Sequence, residues 1–189
     1  FGAETAPGTV DNPFYWCTDG IIYSSYTDAD GKNILTIEEA LPGRGTTIGS
    51  TRVSAEEIFD AIALADADEM LIQEAAFQNC DGIKSVDFST ATILEEIPKD
   101  CFYSCGNLDT VVLPEKVKAI YGKAFGECDD SIMVTIPGKE VYIAPTAFQG
   151  DTDPLLLSYF DSSVRRYARD NGYDFDEIAD SFTVIFADY

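Results

Sequence analysis

The sequence predicts an α/β solenoid built on a short parallel β-ladder, and three observations carry that prediction. Phe77, Phe102, Phe125 and Phe148 follow one another at separations of 25, 23 and 23 residues. Each has an isoleucine five residues earlier (Ile72, Ile97, Ile120, Ile143) and a small residue directly before it (Ala76, Cys101, Ala124, Ala147). After the first three come alternating apolar pairs, Val86 and Phe88, Val111 and Leu113, Val134 and Ile136. Constant-period self-similarity marks a repeat architecture in which one turn is too small to bury its own apolar face, so turns must stack.

The region 1–70 does not repeat and reads as a divergent N-terminal cap, a hairpin plus a helix. Residues 20–26 and 33–37 are strand-like, joined by the polar run from Thr27 to Lys32. Leu41 to Thr47 reads as a flexible connection. Ser54 with Glu57 fits a capping box, ahead of a helix face of Ile58, Phe59 and Ile62. Residues 71–150 hold the repeats. Thr110 to Leu113 alternates as a strand, with Val111 and Leu113 inward. Pro114 and Pro137 end two strands, because proline cannot donate to a ladder. The stretch from Ile120 to Cys128 returns the chain and puts its Ala-Phe pair inside. Residues 151–189 read as a C-terminal cap. There Leu155, Leu156 and Leu157 form the last strand, Ser162 caps a helix with Val164, Tyr167 and Ala168 on one face, and Asn171-Gly172 stops it.

The segment LDTVVLPEKVKAIYGKAFGEC, 108–128, resembles the 23-residue class of BspA-like bacterial leucine-rich repeats, a match that extends over about 71–150. DSSVRRYARDNGYDF, 161–175, is similar to the closing segment of such arrays through Ser162, Tyr167, Ala168, Asn171, Gly172 and Phe175. It departs where Asp161 replaces a glycine, Val164 an alanine and Arg165 an acid. The resemblance implies a leucine-rich-repeat solenoid and a non-enzymatic bacterial binding protein. Such a protein is secreted or held on the cell surface, its signal peptide removed, and adheres to host or microbial proteins or glycans.

Charge and composition narrow the chemistry. The net charge is −22, with 34 acids against 12 bases and no histidine. So acidic a surface repels phosphate backbones, which excludes nucleic acid as a partner, and anionic lipid. Without histidine, serine–histidine and cysteine–histidine catalysis are excluded, as is any histidine-ligated metal. No apolar run is long enough to span a membrane. Cys17, Cys80, Cys101, Cys105 and Cys128 are an odd number, so at least one thiol is unpaired or intermolecular. Cys80, Cys105 and Cys128 fall at one point of successive turns and read as a buried ladder of small side chains. Disulfides between adjacent turns are the alternative.

No catalytic residue, metal ligand or cofactor is assigned. The run from Asp28 to Asn33 fails the EF-hand pattern, because Tyr26 and Ile37 stand where acids are needed. A calcium site elsewhere on the acidic surface stays open. Arg165, Arg166 and Arg169 form the one basic cluster noted, read as a solvated helix face. The candidate binding site is the outward side of the ladder: Ser85, Asp87, Thr110, Val112, Met133 and Thr135. Solenoids bind macromolecules on such faces, and Val112 and Met133 are apolar where the fold does not require it. The rival readings are a carboxylate-based hydrolase with its site in the N-terminal third, and a structural assembly subunit.

Overall fold

Each repeat turn places two short strands and one phenylalanine, and the stacking of those three features builds the molecule. The computed structural model describes residues 14–18, 20–40, 66–150 and 152–178. The capping box at Ser54 and Glu57, the helix face at Ile58, Phe59 and Ile62, and the connection from Leu41 to Thr47 lie outside them. The architecture is a β-solenoid of about four turns.

The first ladder is parallel throughout. It contains β5 (Ser85–Asp87), β7 (Thr110–Val112), β9 (Met133–Thr135), β11 (Leu155–Ser158) and β12 (Asp174–Glu177), adjacent in that order. Val86, Val111, Val134 and Leu156 are in register and buried, as the alternation predicts. The sequence marks β11 as the last strand, but β12 follows it. Helix α1 (Ser163–Asn171) carries the chain across, and β12 joins β11 in parallel.

A second ladder holds the isoleucines. The short strands β6 (Glu96–Ile97), β8 (Ala119–Ile120) and β10 (Tyr142–Ile143) pair in parallel, with Ile97, Ile120 and Ile143 in register. Strand β4 (Glu69–Ile72) approaches them through a bridge from Met70 to Leu94. The N-terminal hairpin is built onto β4. Strand β2 (Ile21–Thr27) pairs antiparallel with β3 (Asn33–Ala40), and β3 pairs in parallel with β4, setting Ile37 beside Ile72. Strand β1 (Phe14–Thr18), which the sequence reading does not mark, adds to the outer side of β2. The polar turn closes on Asp28, whose Oδ1 accepts the amides of Asp30 and Lys32, while Gly31 takes a φ of 82°. That carboxylate is thereby committed to the turn.

Between the ladders the rings of Phe77, Phe102, Phe125 and Phe148 stack with centroids 5.0, 5.4 and 5.3 Å apart, all buried. The backbone around each ring is tightly coiled and makes two kinds of hydrogen bond. The amides of Phe77, Phe102 and Phe125 donate to Cys101, Ala124 and Ala147 of the next turn, whereas Cys80 and Cys105 donate back to the phenylalanine three residues earlier. This requires left-handed residues two before and two after the ring: Ala75 and Asn79, Asp100 and Ser104, Lys123 and Glu127, all with φ between 54° and 60°. Such a conformation costs a non-glycine residue roughly 1–2 kcal/mol, and the satisfied interturn amides offset it.

Cys80, Cys101, Cys105 and Cys128 are buried and free, and Cys17 is free and exposed. The thiols of Cys105 and Cys128 donate to the carbonyl oxygens of Phe77 and Phe102, 3.0 and 3.1 Å away. Thr152 takes the same place in the next turn. Its hydroxyl donates to the Phe125 carbonyl at 3.4 Å and accepts the Cys128 amide at 3.1 Å. The cysteine position is therefore a slot for a small donor, and the pattern continues through Thr152 where the cysteines stop. Thr152→Val should lower stability by about 1–3 kcal/mol, because it strands a buried amide and carbonyl. Thr152→Ser keeps both bonds and should cost clearly less. Urea midpoints of the two variants check this.

At the C-terminal end, side chains occupy the bonding positions that a further turn would fill. The Ser158 hydroxyl donates to the Ile136 carbonyl at 2.7 Å. Ser163 bonds the amide and carbonyl of Val141, and Tyr167 donates to the Ala144 carbonyl at 3.2 Å. Ser162 accepts the Arg165 amide as helix cap, and Gly172 ends α1 with a φ of 77°. Val164 and Ala168 are buried, and Tyr167 and Tyr173 close over Phe148 at 6.3 and 5.9 Å.

Candidate binding face

The outward side of the first ladder forms two continuous columns. One runs Ser85, Thr110, Met133, Leu155, Asp174, and the other Asp87, Val112, Thr135, Leu157, Asp176. All six residues singled out from the sequence stand in these columns. Five are half-buried, and Met133 is 37% exposed. The alternation that turns Val86, Val111, Val134 and Leu156 inward necessarily turns these neighbours out.

The columns also contain four residues that sequence reasoning does not place there. Leu155 and Leu157 extend the apolar centre begun by Val112 and Met133, and Asp174 and Asp176 form one margin. Leu155 lies 22 residues beyond Met133, close to the period, and alternates with the buried Leu156, so its signal was present. Asp174 and Asp176 carry none, because α1 interrupts the phase and only the pairing of β12 with β11 brings them into line. The arrangement is an apolar strip across the middle strands with carboxylates at both ends, Asp87 on one side and Asp174 and Asp176 on the other. Four strand spacings give it a length of about 19 Å.

The thiols offer no nucleophile on this face. Loss of hydration on burial, reinforced by neighbouring acids, pushes the Cys80 thiol up to about 11. Burial pushes Cys128 up to about 12, and drives Cys101 and Cys105 upward as well. Such thiols stay protonated, whereas attack needs the thiolate. Among the described residues no three cysteine or acidic side chains converge on a point where a metal could sit. No described helix is long and apolar enough to cross a membrane.

Exposed rings also stand outside this face. Tyr121 and Tyr142 stand 6.3 Å apart outside the second ladder, where the Glu96 carboxylate both repels the ionised form of Tyr121 and accepts its hydroxyl, raising its pKa. Phe14 and Tyr15 lie exposed on β1, beside Trp16, which stacks on Tyr23 at 5.6 Å. The edge at the other end, β12, reads DFDE, and its acids discourage pairing with another strand.

No curated protein and no solved structure matches the chain. A family model described as the BspA type leucine rich repeat region does match, in six copies over residues 58–169. That span exceeds half of the chain and contains the stacked phenylalanines, both parallel ladders up to β11 and most of α1. The chain belongs to the BspA-type leucine-rich-repeat family.

Proposed function

We propose that this is a non-enzymatic binding protein, secreted or displayed on a bacterial cell surface, that engages a protein or glycan through the outward side of its first ladder. The family supports a repeat-based binding role. The observation that carries the reading is the apolar strip of Val112, Met133, Leu155 and Leu157 set between Asp87 at one margin and Asp174 and Asp176 at the other. A face of this composition matches an extended protein segment whose apolar side chains are flanked by lysine or arginine. The net charge of −22 favours cationic patches on the partner and speeds their approach. Nucleic acid is disfavoured for the same reason. In this reading 1–70 and 151–189 cap the repeats of 71–150, and the acids of β12 keep the open end from stacking on a second copy.

Immobilised protein screened against host matrix proteins and a glycan array, with and without calcium, tests the proposal. A partner should emerge whose binding falls by about 100-fold in the double variant Val112→Glu, Met133→Glu, because charge enters the centre of the contact. Circular dichroism of that variant should show the fold retained, with a modest drop in unfolding temperature because the new carboxylate at position 112 stands beside Asp87. If every partner found binds the double variant equally well, the interface lies elsewhere. Self-association with no ligand would favour the structural-subunit reading. The hydrolase reading puts its site in the N-terminal third, where no described feature favours it.

A further inference from the structure

We propose that a second site, separate from the ladder face, lies at the C-terminal end and takes one carboxylated sugar at the end of an otherwise neutral glycan. A half-open cleft of about 470 Å³ is lined by Phe160, Arg165, Arg166, Arg169, Tyr173 and Phe175, together with Asp161 and Ser162. It shares no residue with the outward columns of the first ladder.

The cleft joins two chemistries. In a chain of net charge −22 with five arginines, the three that lie among the described residues all line this one cleft. The Arg165 guanidinium carbon lies over the Phe160 ring, 3.6 Å from its centroid, and a guanidinium on a ring face keeps N–H donors for an anion. Arg169 is held by Asp170 through Nε and Nη2. Arg166 is exposed and has no hydrogen-bond or ion-pair partner among the described residues. Arg165 and Arg166 sit near the start of α1, where the helix dipole disfavours positive charge, so they do not serve the helix. They are placed to receive an anion, and the planar guanidinium fork suits a carboxylate.

The aromatic residues determine what bears that carboxylate. Phe160 is 56% exposed, and Tyr173 and Phe175 are half-buried. Exposed ring faces beside guanidinium groups suit a pyranose, whose C–H face stacks on a ring while its hydroxyls remain in water. The surrounding charge limits the ligand to one acid. Asp161 lines the cleft, Asp170 already holds Arg169, and the chain as a whole carries a net charge of −22, so a polyanion would meet net repulsion beyond the first carboxylate. An acidic peptide meets the same barrier.

The test is calorimetric titration of the full chain with sialic-acid-terminated and glucuronic-acid-terminated trisaccharides, their methyl esters, lactose, heparin and a poly-glutamate peptide. One or both acid-terminated sugars should bind, and comparison of the two identifies which sugar acid fits. The methyl esters and lactose should bind at least about tenfold more weakly, since the arginine–carboxylate pair is lost. Arg166→Gln should weaken binding about tenfold and Phe160→Ala several-fold, with unfolding temperatures unchanged because both side chains are exposed. The ladder variant Val112→Glu, Met133→Glu should bind the sugar normally, which separates this site from the protein-binding face. Absence of binding by either acidic sugar would overturn the proposal. So would equal binding of the esters, tighter binding of heparin or poly-glutamate, or an unchanged affinity in Arg166→Gln.

Discussion

Phe125→Ala is expected to lower the stability of the folded chain by about 3–5 kcal/mol, the range for removing a large aromatic side chain from a packed core. Phe125 is fully buried, and its ring lies between Phe102 and Phe148 at 5.4 and 5.3 Å, nearly parallel to both. Its carbonyl accepts from Thr152, and its amide donates to Ala147. The neighbouring rings cannot collapse into the space, because each is held at its own height by interturn hydrogen bonds. The loss therefore includes a cavity as well as a transfer contribution. Total stability for a domain of this size is about 5–15 kcal/mol, so the variant should be visibly destabilised at room temperature. Phe125→Leu fills part of the space and should cost less. Chemical denaturation followed by circular dichroism measures both, and an unchanged midpoint for Phe125→Ala would mean that the phenylalanines do not stack inside.

The second large effect is alkaline unfolding. In the unfolded chain the thiols lose their protons near pH 8.5. In the folded chain burial holds Cys80 up to about 11 and Cys128 up to about 12, and raises Cys101 and Cys105 as well. Above pH 8.5 the unfolded state therefore binds fewer protons than the folded state, and stability falls as pH rises. Below that pH the thiols have no effect on it. Each such thiol contributes a slope approaching about 1.4 kcal/mol per pH unit, so the four together approach about 5.5 kcal/mol per unit. Tyr167, also raised by burial, adds to the loss above about pH 10. Urea unfolding under reducing conditions at a series of pH values between about 8 and 10 reads the slope, and Cys128→Ala should make it shallower by about a quarter. A flat profile over that range would show that the thiols reach solvent in the native state.

Much of the repeat region was legible because a solenoid imposes the same environment once per turn. Ile97, Phe102, Val111 and Leu113 face the same packing as Ile120, Phe125, Val134 and Ile136, so the sequence shows them at constant spacing, and all are buried. The outward residues followed by elimination, since a strand that turns Val111 in must turn Thr110 and Val112 out. Ser162 and Gly172 were readable as helix stops because their chemistry is local: one side-chain oxygen for an amide, and one residue free to take a positive φ.

Other features had no period to reveal them. Thr152 occupies the cysteine slot, but sequence alone does not show that the slot selects a small donor for a carbonyl and not a sulfur. The left-handed positions are filled by Ala75, Asp100 and Lys123 on one side of the ring and by Asn79, Ser104 and Glu127 on the other, and they share no residue type. Backbone bonding between turns sets that conformation.

The sequence by itself determined the period, the buried residues and the outward row from Ser85 to Thr135, because burial recurs with the chain's own repeat. Only the tertiary structure decided that the hairpin pairs with β4 through β3, and that β12 extends the first ladder past α1. It alone brought Asp174 and Asp176 into line with Met133 and Thr135, and gathered Arg165, Arg166 and Arg169 around Phe160. The physical reason is that these juxtapositions join segments that share no period. Strand pairing across a turn or a helix depends on which backbone edge is left open, and a side-chain pattern does not record that.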